Sequence, residues 1–525
     1  MQSPQQHVFS QVPAADIPRS AFNRSFGYKT TFDAGYLVPI FVDEVLPADT
    51  FNLNLHAFAR LATPLYPIMD NLFMDFFFFF VPNRLLWENW EKFNGAQDAP
   101  GDSTDYLIPQ VVAPAGGWAE CSIFDYFGLP TKVAGISANA LPFRAYNLIY
   151  NEWFRDQNLQ NPTGVFTNDG PDGNSYYVLR RRGKRHDYFT SCLPWPQKGP
   201  SVSLPLGSDV PIFVKDEFPL GNPPVIRDRM TGALVTGSTK TLGVNSAGSF
   251  TNIADTTKSY LYDPAGTLFA DLSQATAATI NQLRQAFQVQ RLYERDARGG
   301  TRYVELLKAH FGVISPDFRL QRPEFLGGGT IPVNISPIAQ TSSTVSTSPL
   351  GQLAAMGTAR GRVGFTKSFV EHGFIIGLVS VRADLTYQQG LPRMWSRRTR
   401  FDHYWPALAH LGEQAVLNKE IYAQGTSADN DVFGYQEAFA EYRYKPSQIT
   451  GLLRSNATGS LDSWHLAQDF SALPVLNTTF IQDNPPVDRV IAVPDEPHFI
   501  FDSYCELRCV RPMPVYSVPG LIDHL

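Results

Sequence analysis

Five consecutive phenylalanines, Phe76 to Phe80, constrain the fold of this chain more than any other feature. They lie in an apolar stretch, Leu72 to Val81, that includes Asp75 and is far shorter than the roughly 20 residues needed to span a bilayer. A strand that is apolar on both faces must be covered on both, and an exposed row of phenylalanines would aggregate. We therefore predict a central strand in a two-layer β-sandwich, with alternate rings facing different layers: Phe76, Phe78 and Phe80 on one side, Phe77 and Phe79 on the other.

The composition is that of an ordered globular protein. Of 525 residues, 43% are hydrophobic and 18% are charged, and the net charge is −6, which excludes a mainly disordered chain. Aromatic residues make up 13%, beside 39 glycines and 40 prolines, a mixture typical of strands joined by turn-rich loops. Four cysteines are too few for a disulfide framework. No secretory signal is expected, because the N-terminal segment is polar and broken by prolines.

Strand patterns are concentrated at the two ends of the chain. Apolar and polar residues alternate over Thr50–Leu61, and similar patterns recur at Gly373–Leu385 and His498–Val510. Early and late strands can pair in one sheet when Greek-key connections return across the ends of a sandwich. The sequence thus predicts a mainly β protein of jelly-roll type whose middle is inserted between strands.

Composition and periodicity divide the chain into seven parts. Helical patterns predict helices over Phe143–Gln157, Asp271–Ala297 and Thr301–His310. The predicted parts are an N-terminal arm (1–25), the first jelly-roll strands (26–95), an insertion with a helix and a basic run (96–199), a surface protrusion (200–266), a helical insertion (267–350), the remaining jelly-roll strands and loops (351–510) and a proline-rich C-terminal tail (511–525).

Several long irregular phrases resemble the major capsid proteins of microviruses, specifically the gokushovirus branch of small icosahedral single-stranded DNA bacteriophages. The similarity spans nearly the whole chain apart from about Pro200 to Gly266. The phrases are GYKTTFDAGYLVP (27–39), AFARLATP (57–64), FFFFVPNRL (77–85), ERDARGGTRY (294–303), SVRADLTYQQGLPRMWSR (380–397), EYRYKPSQITG (441–451) and RPMPVYSVPGLIDHL (511–525).

The resemblance implies an eight-stranded antiparallel jelly-roll sandwich with long insertion loops containing several helices. It also implies a homo-oligomer of sixty copies, a T=1 shell around a circular single-stranded DNA genome, located in the virion and assembled in the host bacterial cytoplasm. Implied partners are a minor pilot-type virion protein and a host surface receptor, met by a protrusion that we assign by position to 200–266. Because a shell of chains with net charge −6 must hold a polyanion, we also expect a small basic DNA-condensing protein.

No catalytic residue, metal ligand or cofactor is predicted. The phrase TGSTKT (236–241) lacks the glycine before lysine and the strand-to-helix context of a phosphate loop. A metal-dependent enzyme on a jelly roll would need a cluster of histidine and carboxylate, and Glu371 with His372 is the nearest approach. The alternative function is a carbohydrate-binding β-sandwich protein, although the secretory signal and disulfides that would favour it are missing.

Two basic clusters are interleaved with or followed by aromatic residues, a pattern that suits single-stranded DNA because cations neutralise phosphates while rings stack on bases. Arginines and aromatics are also enriched at protein interfaces, so bridging between subunits remains open. The first cluster comprises Arg180, Arg181, Arg182, Lys184 and Arg185. The second comprises Trp395, Arg397, Arg398 and Arg400, beside Arg393.

Overall fold

The structure is a computed structural model that describes most of the chain. Complete residues are described over 18–202, 280–314, 317–342 and 349–516, and at 231, 233 and 344. The backbone alone is described at 212–214, 226–228, 242–244, 250–252, 255–262 and 268–270. The chain separates into two compact units, residues 1–196 with 301–525, and residues 197–300.

The first unit is built on one large antiparallel sheet. Its nine strands, numbered in chain order, are β1 (Ser20–Asn23), β2 (Phe26–Phe32), β3 (Val38–Val45), β4 (Thr50–Leu61), β5 (Leu72–Pro82), β6 (Glu324–Ala339), β7 (Leu353–Ser368), β8 (Gly373–Ala383) and β9 (Phe499–Arg511). Their spatial order is β1-β9-β4-β7-β6-β5-β8-β3, and β2 also pairs with β9. The predicted antiparallel, mainly β class is confirmed, with nine strands in the sheet where eight were predicted.

The sheet curls so that two half-sheets face each other. The first half-sheet comprises β2, β9, β4 and β7, and the second comprises β6, β5, β8 and β3. Rings meet between strands that are not neighbours in the sheet: the centroids of Phe76 on β5 and Phe501 on β9 lie 6.2 Å apart. Phe26 on β2 stacks on Phe41 on β3 at 6.0 Å, so the two ends of the strand order also meet. The main hydrophobic core fills the space between the half-sheets.

The phenylalanine run lies on β5, in the middle of the second half-sheet. Phe76, Phe78 and Phe80 are buried in the core between the half-sheets. Phe79 is buried in a second core on the opposite face, and Phe77 packs against that core. Glycine makes room for the large rings, because Gly377 on β8 pairs with Phe78 and a Cβ there would lie 2.8 Å from the Phe78 ring.

Helices cover the outer face of the second half-sheet. The second core combines Phe79, Val81 and Phe374 from the sheet with Phe124 and Phe143 from two helices. The helices of this unit are α1 (Trp90–Phe93), α2 (Ile123–Tyr126), α3 (Leu141–Ile149), continued by a π-helical turn at Tyr150–Phe154, α5 (Tyr303–Phe311), α6 (Asn418–Ile421) and α7 (Thr478–Ile481). The helix predicted over 143–157 thus begins earlier, and its last residues 155–157 are not helical.

One strand lies where a helical insertion was predicted. The sequence places 267–350 in that insertion, but β6 occupies Glu324–Ala339. The strand was not predicted because it contains three consecutive glycines, which indicate a turn. The structure explains why glycine is needed there: a Cβ on Gly328 would lie 2.1 Å from the carbonyl oxygen of Phe76. A Cβ on Gly329 would lie 2.8 Å from Val363. At these two positions the strand approaches its neighbours too closely for a side chain.

Long insertions between the sheet strands carry only short regular elements. A third, smaller core joins residues 188–192 to the segment between β8 and β9, around Tyr188, Phe189, Tyr387 and Phe433. The short strand pairs are Gln110–Val112 with Ser137–Asn139, Thr386–Tyr387 with Ser447–Gln448, and Glu413–Leu417 with Val432–Glu437. Single 3₁₀ turns lie at Asn83–Leu85, Asn174–Tyr176, Arg393–Ser396, Arg400–Asp402, Pro406–Leu408, Ser427–Asn430, Ala440–Tyr442, Gly451–Leu453, Asp462–Trp464 and Val487–Arg489.

The second unit, residues 197–300, contains short antiparallel strands and one long helix. The helix α4 spans Ile280–Arg298, while residues 271–279 of the helix predicted there lie outside the described residues. A four-stranded sheet has the order Leu242–Val244, Phe250–Asn252, Asp255–Tyr262 and Ile226–Asp228, and Leu268–Ala270 pairs with Ile212–Val214. Among the described residues of both units, no helix combines the length and apolar character needed to cross a membrane.

Candidate functional surfaces

The first basic cluster is an extended segment held between two other parts of the chain. The Leu37 amide donates to the Arg180 carbonyl (2.9 Å), and the Asp483 amide donates to the Arg182 carbonyl (2.7 Å). The Arg181 guanidinium lies 4.1 Å from the centroid of the Tyr36 ring. Of the five cations predicted as DNA contacts in this cluster, only Arg185 is exposed, and the other four are half-buried. Most of this positive charge faces the subunit itself.

Arg182 belongs to a buried ionic cluster around Asp75. The Asp75 carboxylate accepts hydrogen bonds from Arg182, from the Arg382 Nε (2.8 Å) and from the Thr330 hydroxyl (2.6 Å). Burial would raise the pKa of Asp75, but these donors together outweigh burial and lower the pKa below its ordinary value. Asp75 therefore remains ionised inside the apolar strand, and the cluster joins β5, β6 and β8 to the basic segment.

In this region Asp483 is buried and Lys184 is half-buried. Burial lowers the pKa of Lys184 to about 8, and its ammonium lies 4.5 Å from the centroid of the Phe480 ring. Burial raises the pKa of Asp483 to about 6, although the charge of Lys184 acts in the opposite direction. The Lys184 ammonium also donates to the Gln468 side chain (3.3 Å), so contacts within the subunit hold this cation.

An open groove of about 1020 Å³ runs beside the exposed end of the first cluster. It brings together aromatic rings and cations: Phe77, Phe79, Trp153, Phe154, Phe325, Arg155, Arg182, Lys184, Arg185, His186 and Arg302. Burial, and then the charge of Arg302, lower the pKa of Arg155. Sequence reasoning missed Arg155, Trp153 and Arg302, because they come from distant parts of the chain and no local motif links them. Asp156, Asp187 and Asp384 also line the groove, so its charge is mixed.

The second basic cluster is divided between internal ion pairs and an exposed loop. Arg393 pairs with Glu420 (3.0 Å), and Arg397 pairs with Glu441 (2.9 Å). These groups line a cavity of about 590 Å³ that also includes Trp395. Burial raises the pKa of Glu420, although Arg393 opposes that shift.

Arg398 and Arg400 are instead exposed on the loop that follows. The Arg400 guanidinium lies 4.7 Å from the centroid of the Trp405 ring. Trp395 is 68% exposed and Phe401 is 72% exposed. The loop therefore presents large apolar rings together with two cations.

The residues weighed as a metal site have structural partners. Glu371 forms an ion pair with Arg84, with an Nε to Oε2 distance of 2.8 Å. The His372 ring packs against Trp90 at a centroid distance of 5.6 Å. In the described part of the chain, no group of three or more His, Cys, Asp or Glu residues is positioned to hold a metal ion.

These features describe a protein built on a large antiparallel sheet. A model of the family "Capsid protein (F protein)" matches residues 10–521. The chain is 55% identical to capsid protein VP1 of Bdellovibrio phage phiMH2K over 98% of both chains. It is 50% identical to capsid protein VP1 of Chlamydia phage 1 (98% and 97% covered) and 39% identical to that of Spiroplasma virus 4 (98% and 97%). The chain belongs to this family of microvirus capsid proteins.

The family match decides between the two hypotheses drawn from the sequence. It covers nearly the whole chain with capsid proteins, which favours a subunit of a viral shell over a carbohydrate-binding β-sandwich protein. The resemblance inferred from the seven sequence phrases is confirmed.

Proposed function

We propose that sixty copies of this chain form a closed T=1 icosahedral shell that encloses a circular single-stranded DNA genome and has no enzymatic activity. Its place is the virion, after assembly in the cytoplasm of a bacterial host. Membership of a capsid protein family supports the structural role, and three relatives carry the name capsid protein VP1.

The pairing of strands supports a jelly roll as the wall of this shell. Eight strands remain when the short β1 is set aside. In chain order, the first of these eight pairs with the last, the second with the seventh, the third with the sixth and the fourth with the fifth. These pairs are β2 with β9, β3 with β8, β4 with β7 and β5 with β6. This is the pattern of one long antiparallel hairpin rolled up into two facing half-sheets, as in viral jelly rolls.

The exposed loop of the second basic cluster is the observation that carries the assembly proposal. A soluble monomer rarely leaves large apolar side chains clustered in water, and such patches mark protein interfaces. Trp395, Phe401 and Leu411 are each more than half exposed, and Arg398 and Arg400 lie among them. Since aromatics and arginine are enriched at interfaces, we assign this loop to the contact between neighbouring subunits.

Negative-stain electron microscopy of the purified chain tests this assignment. The unaltered protein should form uniform closed shells, and the double substitution Trp395→Ser/Phe401→Ser should abolish them. The circular dichroism and unfolding midpoint of the variant subunit should stay unchanged, because both rings are already exposed in the subunit. Monodisperse monomers of the unaltered chain at high concentration would contradict the shell, and normal shells from the variant would contradict the loop contact.

We also propose that a separate small basic protein supplies much of the positive charge that condenses the genome. The net charge of −6 supports this proposal. A second observation is that the two arginines nearest the N-terminus form their contacts within the subunit. Arg24 forms an ion pair with Asp43, and Arg19 donates to the Ala48 carbonyl (2.6 Å). A minor pilot-type virion protein is part of the same proposal, supported by the family alone.

We assign host attachment to the surface protrusion, residues 200–266. Most of this segment lies outside the described residues, and its support is that it falls within the second compact unit, as an inserted outer loop would. Deletion of 200–266 should leave shell assembly intact and abolish adsorption to host cells, measured with labelled particles. Normal adsorption of the shortened particles would overturn the receptor role.

A further inference from the structure

In the part of the chain that the structure describes, the outer face of the first half-sheet is exposed, in contrast to the covered second half-sheet. Alternate residues on β4, β9 and β7 point away from the core, and those exposed include Phe58, Arg60, Tyr504 and Arg508. The exposed face of these strands, with Lys29 of β2, is called the bare face. Its outward residues are Lys29, Asn52, Asn54, His56, Phe58, Arg60, Arg360, Arg362, Thr366, Ile500, Asp502, Tyr504, Glu506 and Arg508.

The bare face carries an excess of positive charge on a chain that is acidic as a whole. Five cations are present against two carboxylates, of which Asp502 is already paired with Lys29 at 2.7 Å. Four arginines have no carboxylate within ion-pair distance among the described residues. They are Arg60, Arg360, Arg362 and Arg508. Unpartnered arginines on a sheet surface favour an anionic occupant.

Exposed rings lie among these arginines in a defined register. Across β7, β4 and β9, one row contains Arg362, His56 and Tyr504, and the adjacent row on the same face contains Arg360, Phe58 and Asp502. Phe58 is 40% exposed and Tyr504 is 53% exposed, and they are diagonal neighbours within reach of one another. The Arg60 guanidinium lies 5.8 Å from the centroid of the Phe58 ring.

We propose that the bare face is the inner wall of the shell and binds single-stranded DNA, with the arginines on phosphates and Phe58 and Tyr504 stacking on bases. This inference rests on the proposed function, because it assigns the surface that meets the enclosed genome. Sheets with exposed rings bind unpaired bases in this manner in RNA-recognition domains. A contact with a second copy fits less well, since interface cores are depleted of charge and unpaired arginines repel one another.

The first test measures binding of a fluorescent oligo(dT) to the purified full chain as salt is varied. The triple substitution Arg60→Gln/Arg360→Gln/Arg362→Gln should reduce the slope of log K against log salt by about 2, and weaken binding about a hundredfold at about 0.1 M salt. The matched control, Arg284→Gln/Arg291→Gln/Lys445→Gln, removes the same charge from exposed positions outside the strands of the bare face and should leave the slope nearly unchanged. Loss of binding in the control, with full binding in the bare-face variant, would overturn the proposal.

The second test concerns the rings. Phe58→Ala and Tyr504→Ala should each weaken oligo(dT) binding about tenfold with no change of salt slope, and Phe58→Trp should retain binding. Unchanged binding in both alanine variants would reject base stacking on the bare face.

Shell formation is scored separately by electron microscopy, so the two proposals can fail independently. Absence of shells from the unaltered chain would contradict the proposed function and leave the binding result intact. Shells of the arginine variant that package a normal amount of DNA would contradict the bare face as the inner wall.

Discussion

Replacement of Phe78 by alanine is expected to lower the free energy of unfolding of the subunit by about 3 to 5 kcal/mol. Phe78 is completely buried between the half-sheets, and its ring contacts Phe365 at a centroid distance of 5.4 Å and Phe41 at 6.4 Å. The backbone on either side is fixed by the sheet, so the surroundings cannot collapse into the space left by the ring. Urea unfolding of the unassembled subunit, followed by tryptophan fluorescence, measures the loss.

The matched control for this change is Phe401→Ala, which removes the same ring from a largely exposed position. It should alter the free energy of unfolding of the subunit by less than about 0.5 kcal/mol. If Phe78→Ala yields too little soluble protein for unfolding, Phe78→Leu provides a smaller deletion at the same site. A Phe78→Ala subunit as stable and as soluble as the unaltered chain would show that the half-sheets do not depend on this ring.

The strands predicted correctly from the sequence are those in which the alternation of apolar and polar residues lies within the strand itself. Over Thr50–Leu61 every second residue is buried, and the same is true over most of Phe499–Arg511. Alternation with a period of two reports burial on one face directly. The facing of alternate phenylalanines in β5 follows from the same geometry, since successive side chains of any strand point in opposite directions.

The strand that was not predicted, β6, has a pattern set by distant neighbours. Gly328 is required by the Phe76 carbonyl, on a strand much earlier in the sequence, and Gly329 by the Val363 side chain on the next strand. In the sequence alone, the three glycines and two prolines of this segment indicate turns. The pairing that explains them exists only after the long hairpin has formed.

The basic clusters show the same division between local and distant information. The sequence reveals how many cations are adjacent, but not which are neutralised inside the fold. Arg182 is paired with Asp75 and Arg397 with Glu441, and no spacing rule links these partners. Conversely, the cations of the bare face are distributed over β2, β4, β7 and β9 without any two adjacent in the sequence, so no run of charge indicates them.

Removal of the Asp75 charge by Asp75→Asn is expected to cost about 3 to 5 kcal/mol of subunit stability, because it removes the carboxylate that pairs directly with the buried Arg382 and the partly buried Arg182. The side chain of Arg382 is 7% exposed and that of Arg182 is 18% exposed, so water has little access to replace the carboxylate at Arg382. The folded subunit holds the pKa of Asp75 below that of the unfolded chain. Its stabilising contribution is therefore complete above the ordinary aspartate pKa of about 3.9 and is lost as the pH falls further.

Unfolding midpoints of the unaltered chain and of Asp75→Asn, measured from pH 7 to pH 3, test both parts of this expectation. The gap between the two proteins should be largest at pH 7 and should narrow below about pH 4, where Asp75 takes up a proton in the unfolded chain before it does so in the folded subunit. The matched control is Asp502→Asn, which breaks the exposed pair with Lys29 and should cost less than about 1 kcal/mol. If Asp75→Asn costs no more than this control, the arginines are satisfied without the carboxylate. In that case, the ion pairs of Asp75 would not be what holds the first basic cluster against β5.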